Sequence, residues 1–186
     1  MKSLSKRFII KIPKSISVLY CQKNQIVTFF TDFVKKSFTL KTKIILIKNK
    51  KLLKVTGIPF SNKKEKKEMQ GTTVALLKQI ILEIFTSVYQ KLKFVGVGYK
   101  AFSVEVNTVK LLNFKLGYSH QIFLKIPLDI KIFCLKSSKL FISGTSNQYV
   151  NQITALIRSY KTPEPYKGKG ILYENEKIIL KEGKKV

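Results

Sequence analysis

The chain reads as an α+β protein: two duplicated domains, each an antiparallel β-sheet packed against one α-helix, followed by an extended C-terminal arm. Three observations predict this. Apolar and polar residues alternate over many short runs bounded by turn residues, the pattern of half-buried strands. Two other stretches repeat apolar residues at helical spacing. The order strand, strand, helix also occurs twice, each time opening on Ile-Pro. Ile12-Pro13-Lys14-Ser15-Ile16-Ser17-Val18-Leu19-Tyr20 echoes Ile126-Pro127-Leu128-Asp129-Ile130-Lys131-Ile132-Phe133-Cys134. With 186 residues there is enough chain for two small cores. The expected division is residues 1–88 and 89–186, with the arm at about 161–186.

Taken in order, the first Ile-Pro strand is followed by a second at Gln25 to Phe30. Lys35 to Val55 supplies two more strands, including the apolar Ile44-Ile45-Leu46-Ile47. Residues 61–68, Ser-Asn-Lys-Lys-Glu-Lys-Lys-Glu, are charge-dense and read as a solvated loop. A helix then places Leu77, Ile80, Ile81, Ile84, Phe85 and Val88 on one face, with Thr72 or Thr73 as its N-cap. Strand-like runs occupy Lys91 to Val97, Tyr99 to Val106, Leu111 to Leu116 and Gln121 to Ile126. Gly96, Gly98 and Gly117 mark bends between them. The second Ile-Pro strand and a run at Lys139 to Ile142 lead into the second helix. Val150, Ile153, Leu156, Ile157 and Tyr160 form its apolar face, and Ser146 or Asn147 its cap.

Charge narrows the function. Lys+Arg number 36 against 10 Asp+Glu, a formal net charge of +26. Arginine occurs only at Arg7 and Arg158, so lysine carries nearly all of it. Lysine is a hydrated point charge, suited to a phosphate backbone rather than to bidentate reading of bases. So large an excess opposes compaction by self-repulsion unless a polyanion neutralises it. Nucleic acid leads as that partner; an anionic membrane surface is the rival. No apolar run reaches the roughly 18 residues of a membrane span. The N-terminus carries no expected export signal or detachable presequence. Cys21 and Cys134 lack metal-ligand spacing and read as reduced, unpaired thiols in half-buried strands.

Catalysis is not expected. Gly96-Val97-Gly98-Tyr99-Lys100-Ala101 fits a dinucleotide fingerprint only superficially, because a strand and not a helix N-terminus follows it. Gly168-Lys169-Gly170 lacks the rest of a P-loop. The lone His120 has no nucleophile pattern around it, and no paired carboxylates stand out. No catalytic residue, metal, cofactor or small-molecule substrate is therefore assigned.

Residues 161–172, Lys-Thr-Pro-Glu-Pro-Tyr-Lys-Gly-Lys-Gly-Ile-Leu, are the most telling stretch. Prolines stiffen it, a tyrosine offers a flat face, and glycines beside lysines let the main chain approach a charged surface. Together with residues 93–101, Leu116-Gly117-Tyr118-Ser119-His120, Ile126-Pro127 and residues 147–158, this segment resembles the bacterial-type ribosomal protein L-six family of the large subunit. The likeness is dense from about Lys91 onward, and looser but collinear over residues 12–88. It implies two similar α+β domains, no enzymatic activity, and binding of large-subunit rRNA near the sarcin-ricin region and the base of the factor-binding stalk. It also implies neighbouring large-subunit proteins as partners, and translation as the process served.

Carried onto this chain, the implied rRNA-binding residues are Gly98, Tyr99, Lys100, Tyr118, Ser119, His120, Arg158, Lys161, Pro163, Glu164, Tyr166, Lys167, Gly168, Lys169 and Gly170. Tyr166 suits either stacking on RNA or packing on the neighbouring prolines. Tyr99 and Tyr118 also suit half-buried strand ends. His120 suits a hydrogen bond within its turn or to a phosphate. Residues 181–186 would extend the arm along RNA or form a tail. The surplus of Lys, Ile, Phe and Asn suits a gene of low GC content. That bias points to an organelle-encoded protein of a mitochondrion, with a plastid or a bacterial cytoplasm as alternatives. A freestanding basic RNA-binding module is the alternative function.

Overall fold

The computed structural model describes residues 8–31, 34–47, 51–57, 62–106 and 109–183. Two compact units divide the chain, residues 1–86 and 87–186. Each is α+β, with its strands shared between two antiparallel sheets rather than gathered in one.

In the first unit, β2 (Ser17–Cys21), β3 (Ile26–Phe30) and β4 (Lys35–Thr39) form a meander. A second sheet has the order β1-β6-β5, from β1 (Ile9–Lys11), β5 (Ile44–Ile47) and β6 (Leu52–Val55). Alternation decides which residues face inward: Val27 and Phe29 of β3, and Leu53 and Val55 of β6, are buried while their neighbours are not. Leu77 of the helix α1 (Lys63–Phe85) closes this core.

In the second unit, β8 (Lys100–Val106), β9 (Val109–Lys115) and β10 (Ile122–Lys125) form the meander. The other sheet has the order β11-β12-β7-β13, from β7 (Val88–Val95), β11 (Ile130–Lys136), β12 (Lys139–Gly144) and β13 (Gly170–Tyr173). The helix α2 (Asn147–Ser159) packs Val150, Ile153 and Ile157 into a core with Leu92, Phe114, Leu140, Ile142 and Ile171. Each fully buried side chain of this size contributes about 1.5–3 kcal/mol.

The duplication holds, but in a different alignment from the Ile-Pro echo. The hairpin immediately before each helix, β5–β6 or β11–β12, pairs with the first strand of its own unit, β1 or β7. The meanders β2–β3–β4 and β8–β9–β10 then correspond. The echo had instead matched β2 with β11. Ile-Pro followed by alternation is a general way to begin a strand, because proline suits a first strand position and alternation suits any half-buried strand. Among the described residues the strand β13 has no counterpart in the first unit.

The first helix also begins earlier than expected. Residues 63–68, read as a solvated loop, form its first turns, and Ser61 lies outside the described residues. Lysine and glutamate are good helix formers, and Asn62 with Glu65 three positions on marks a start: the Asn62 amide donates to Glu65 Oε2 at 3.4 Å. Thr72 and Thr73 cap nothing. Both hydroxyls donate back to the Met69 carbonyl, at 3.0 and 2.7 Å, from inside the helix. The helix ends at Phe85, so Val88 belongs to β7. Phe85 and, in α2, Leu156 were expected on buried faces but are exposed. Ser146 does occupy the N-cap of α2, although its side chain makes no capping bond.

Candidate nucleic-acid interface

Three loops of the second unit meet at one end. The first, residues 96–99, follows β7; the second, 116–121, joins β9 to β10; the third, 161–169, precedes β13. Tyr99 ties the first two together. A Cβ on Gly96 (φ +147°) would stand 2.8 Å from its ring, and one on Gly117 (φ +75°) 3.2 Å. Only glycine lets both backbones lie against that ring. Tyr99 is half-buried and packs on the core, so it positions the loops.

Tyr118 ties the second loop to the third. Its hydroxyl donates to the Tyr160 carbonyl at 3.1 Å, its ring stacks on His120 at 5.5 Å, and Lys161 Nζ sits 4.3 Å from its centroid. Ser119 and His120 are exposed on the same turn. His120 therefore stacks within the turn, and a cation–π contact at a partly exposed site such as Lys161 over Tyr118 is worth about 0.5–1 kcal/mol.

The third loop is where the expectation of an extended arm fails. Residues 161–171 close on themselves: the Glu164 amide donates to the Lys169 carbonyl, the Gly168 amide to the Glu164 carbonyl, and the Ile171 amide to the Lys161 carbonyl, at 2.9 to 3.0 Å. The glycines expected to let the main chain approach a charged surface also shape the loop, with φ +66° at Gly168 and +151° at Gly170. A Cβ on Gly170 would lie 2.7 Å from Pro163 Cα. Pro163, Glu164, Gly168 and Gly170 thus shape the loop. The following chain returns onto it, the Lys181 amide donating to the Pro165 carbonyl at 2.9 Å; residues 184–186 lie outside the described residues.

Tyr166 and Lys167 are left exposed on that loop and Lys169 half-exposed, and Tyr166 retains 54% of its surface. Among the described residues neither Lys167 nor Lys169 has an ion-pair partner. Arg158 is differently placed. Its guanidinium donates twice to Glu176, Nη2 to Oε1 at 2.6 Å and Nε to Oε2 at 3.2 Å, and lies 5.6 Å from the Tyr173 ring centroid. Glu176 also accepts the Tyr173 amide at 3.1 Å. The hydrogen bond from Arg158 holds the Glu176 carboxyl below its ordinary 4.5. Arg158 is a clamp behind β13, committed within the chain.

Sequence reasoning missed other cations at this end. Lys100 lies directly opposite Lys115 in the β8–β9 ladder, and Lys136 opposite Lys139 across the β11–β12 turn. That turn is held against the site by the Phe94 amide donating to the Ser138 carbonyl and the Ala101 amide to the Ser137 carbonyl. Like charges directly opposite destabilise a sheet unless something neutralises them. Among the described strand pairs of the first unit, none opposes two lysines. Only pairing register would have exposed this, and register was not legible along the chain.

The comparisons with known proteins now decide the family. A large ribosomal subunit protein uL6 from Mycoplasma capricolum is 38% identical over 95% of this chain and 94% of its own length. The chain belongs to the ribosomal protein L6 family. The family described as Ribosomal protein L6 matches residues 95–174, which span all three loops. Proteins of the same name from Rhodospirillum rubrum, 42% identical over 68% of this chain and 70% of the relative, and from Malacoplasma penetrans, 44% over 67% and 66%, are similar as well. These relatives are bacterial. The mitochondrial placement drawn from residue bias finds no support in them, and the bacterial alternative fits. Among the described residues no helix is long and apolar enough to cross a membrane, and no cluster of His, Cys, Asp or Glu could hold a metal ion.

Proposed function

We propose that the chain is a structural constituent of the large subunit of a bacterial-type ribosome, holding rRNA through the three-loop end of its second unit. The relatives carry the name of a large-subunit protein. The single observation that carries the binding reading is the presentation of Lys100 and Lys115 at paired strand ends and of Lys167 and Lys169 on the third loop, none with an ion-pair partner among the described residues, at an end locked by Tyr99, Tyr118 and Gly170. Pre-fixed cations lose little freedom on binding, and each phosphate they neutralise releases counterions.

Roles follow from placement. Lys100, Lys167 and Lys169 contact phosphates, with Lys161 held over Tyr118 as a further cation. Tyr166 stacks on a base or ribose. Ser119 and His120 donate hydrogen bonds to the backbone, and Gly98 allows close approach. Tyr99, Tyr118, Pro163, Glu164, Gly168 and Gly170 position, while Arg158 braces the loop from behind. The resemblance supports a contact near the sarcin-ricin region and the stalk base. Sedimentation of the tagged chain through a high-salt sucrose gradient tests the reading. Co-migration with the large subunit is expected; recovery as free protein or small RNA complexes would favour a freestanding RNA-binding module instead.

A further inference from the structure

A second surface of the same unit has the chemistry of a stacking platform. One face of the sheet β11-β12-β7-β13 carries α2; on the opposite face the pairing register lays out cross-strand rows. Lys131, Ser143 and Tyr89 form one row, Phe133, Phe141 and Lys91 the next, and Lys139, Lys93 and Leu172 a third. Directly opposite residues share a face, so these side chains are neighbours. Tyr89 stacks on Phe141 with centroids 5.4 Å apart, and Phe133 meets Phe141 at 6.4 Å, giving an aromatic strip across three strands. The strip is open: Tyr89 is 56% and Phe133 53% exposed. Lys91 Nζ lies 5.9 Å from the Tyr89 centroid, and Lys131 and Lys139 are exposed.

We propose that this face binds unpaired RNA nucleotides, bases stacking on Tyr89 and Phe133 with Lys131 and Lys139 on the adjoining phosphates. The inference rests on the RNA-binding reading for its class of partner, but uses a surface separate from the three loops. Charge selects RNA over protein as the occupant. Lysine is depleted from the core of protein–protein interfaces, yet here lysines alternate with the aromatic residues instead of rimming them. Aromatic faces interleaved with cations are how single strands are held without sequence reading. Glu174 holds two of the lysines, its carboxylate pairing with Lys91 at 3.2 Å and its carbonyl accepting from Lys93 Nζ at 2.6 Å, while among the described residues Lys131 and Lys139 have no ion-pair partner.

The test uses the full chain and two probes at one salt concentration: a fluorescein-labelled oligouridine 12-mer and an RNA duplex of 12 base pairs. Stacking on one aromatic is worth about five- to 150-fold in affinity. Y89T/F133T puts β-branched residues, which strands accept, in place of the aromatic ones, and should weaken 12-mer binding by about tenfold or more with duplex binding within about twofold. K167A/K169A should weaken both probes together, and its failure to do so would count against the three-loop site alone. A 12-mer carrying 4-thiouridine should photo-crosslink to peptides containing Tyr89 or Phe133 in the unaltered protein, independent of any variant's folding. Unchanged 12-mer affinity in Y89T/F133T, an equal loss on both probes, or crosslinks confined to residues 161–170 would each overturn the proposal. The first of these outcomes would return the face to a protein partner.

Discussion

Replacing Gly170 by alanine should unfasten the interface without touching a charge. The added Cβ would stand 2.7 Å from Pro163 Cα, 2.9 Å from Pro163 N and 2.9 Å from the Thr162 carbonyl oxygen. All three are backbone atoms, so no side-chain rotamer can relieve the contact. A non-glycine residue at φ +151° adds about 1–3 kcal/mol of conformational strain, and overpacking about 1–3 more. The loop escapes by opening, which breaks the Ile171–Lys161 bond and loosens the pairing of β13 with β7. Native-state hydrogen exchange at the Ile171 amide reads this directly: about 3 kcal/mol corresponds to roughly a hundredfold faster exchange. Gly98→Ala is the control. Its φ is +77° but nothing lies within 4 Å of the new Cβ, so about 1–2 kcal/mol of local strain is the whole cost. RNA affinity should fall in Gly170→Ala although every lysine remains. Exchange at Ile171 within threefold of the unaltered protein would refute the reasoning.

The remaining predictions concern the other fastenings. Glu176→Gln should cost about 0.5–1.5 kcal/mol at pH 7, since the pair with Arg158 is bidentate but its side chains are 31% and 25% exposed. The carboxyl is held below 4.5 in the folded chain, so its contribution is full above that pH and lost as pH falls through the lowered value; urea titrations of the two proteins should converge at low pH. Tyr118→Phe removes the bond to the Tyr160 carbonyl and should cost about 0.5–1.5 kcal/mol, with faster exchange in the 117–120 turn. Glu65→Ala should fray the start of α1 by about 0.5–1 kcal/mol, visible as lost protection in residues 63–68 and unchanged protection at Ile171.

What was legible in the chain follows the range of the interactions involved. Alternation reports which side of a strand is buried, so Val27, Phe29, Leu53 and Leu140 could be read as core. Helical spacing likewise found Leu77, Ile81, Val150 and Ile157. The start of α1 was available in Asn62 and Glu65 but was masked by the lysine density and by Thr72 and Thr73, residue types that suit an N-cap yet lie inside the helix. The loop 161–171 shows the limit of composition: glycine permits both a flat approach and a turn, and only the bonds of Glu164, Gly168 and Ile171 choose the turn. The bond of Arg158 to Glu176 was not legible because the two lie 18 residues apart across β13, beyond any local pattern. Lys115, Lys136 and Lys139 depend on strand register, which non-local pairing sets.

The most direct measurement is the salt dependence of binding to a large-subunit rRNA fragment, for the unaltered chain and for K167A/K169A. Two lost phosphate contacts should flatten the slope of log K against log salt by about two units, with affinity lowered across sequences alike. An unchanged slope would mean that these ammonium groups face solvent and that the RNA is held elsewhere.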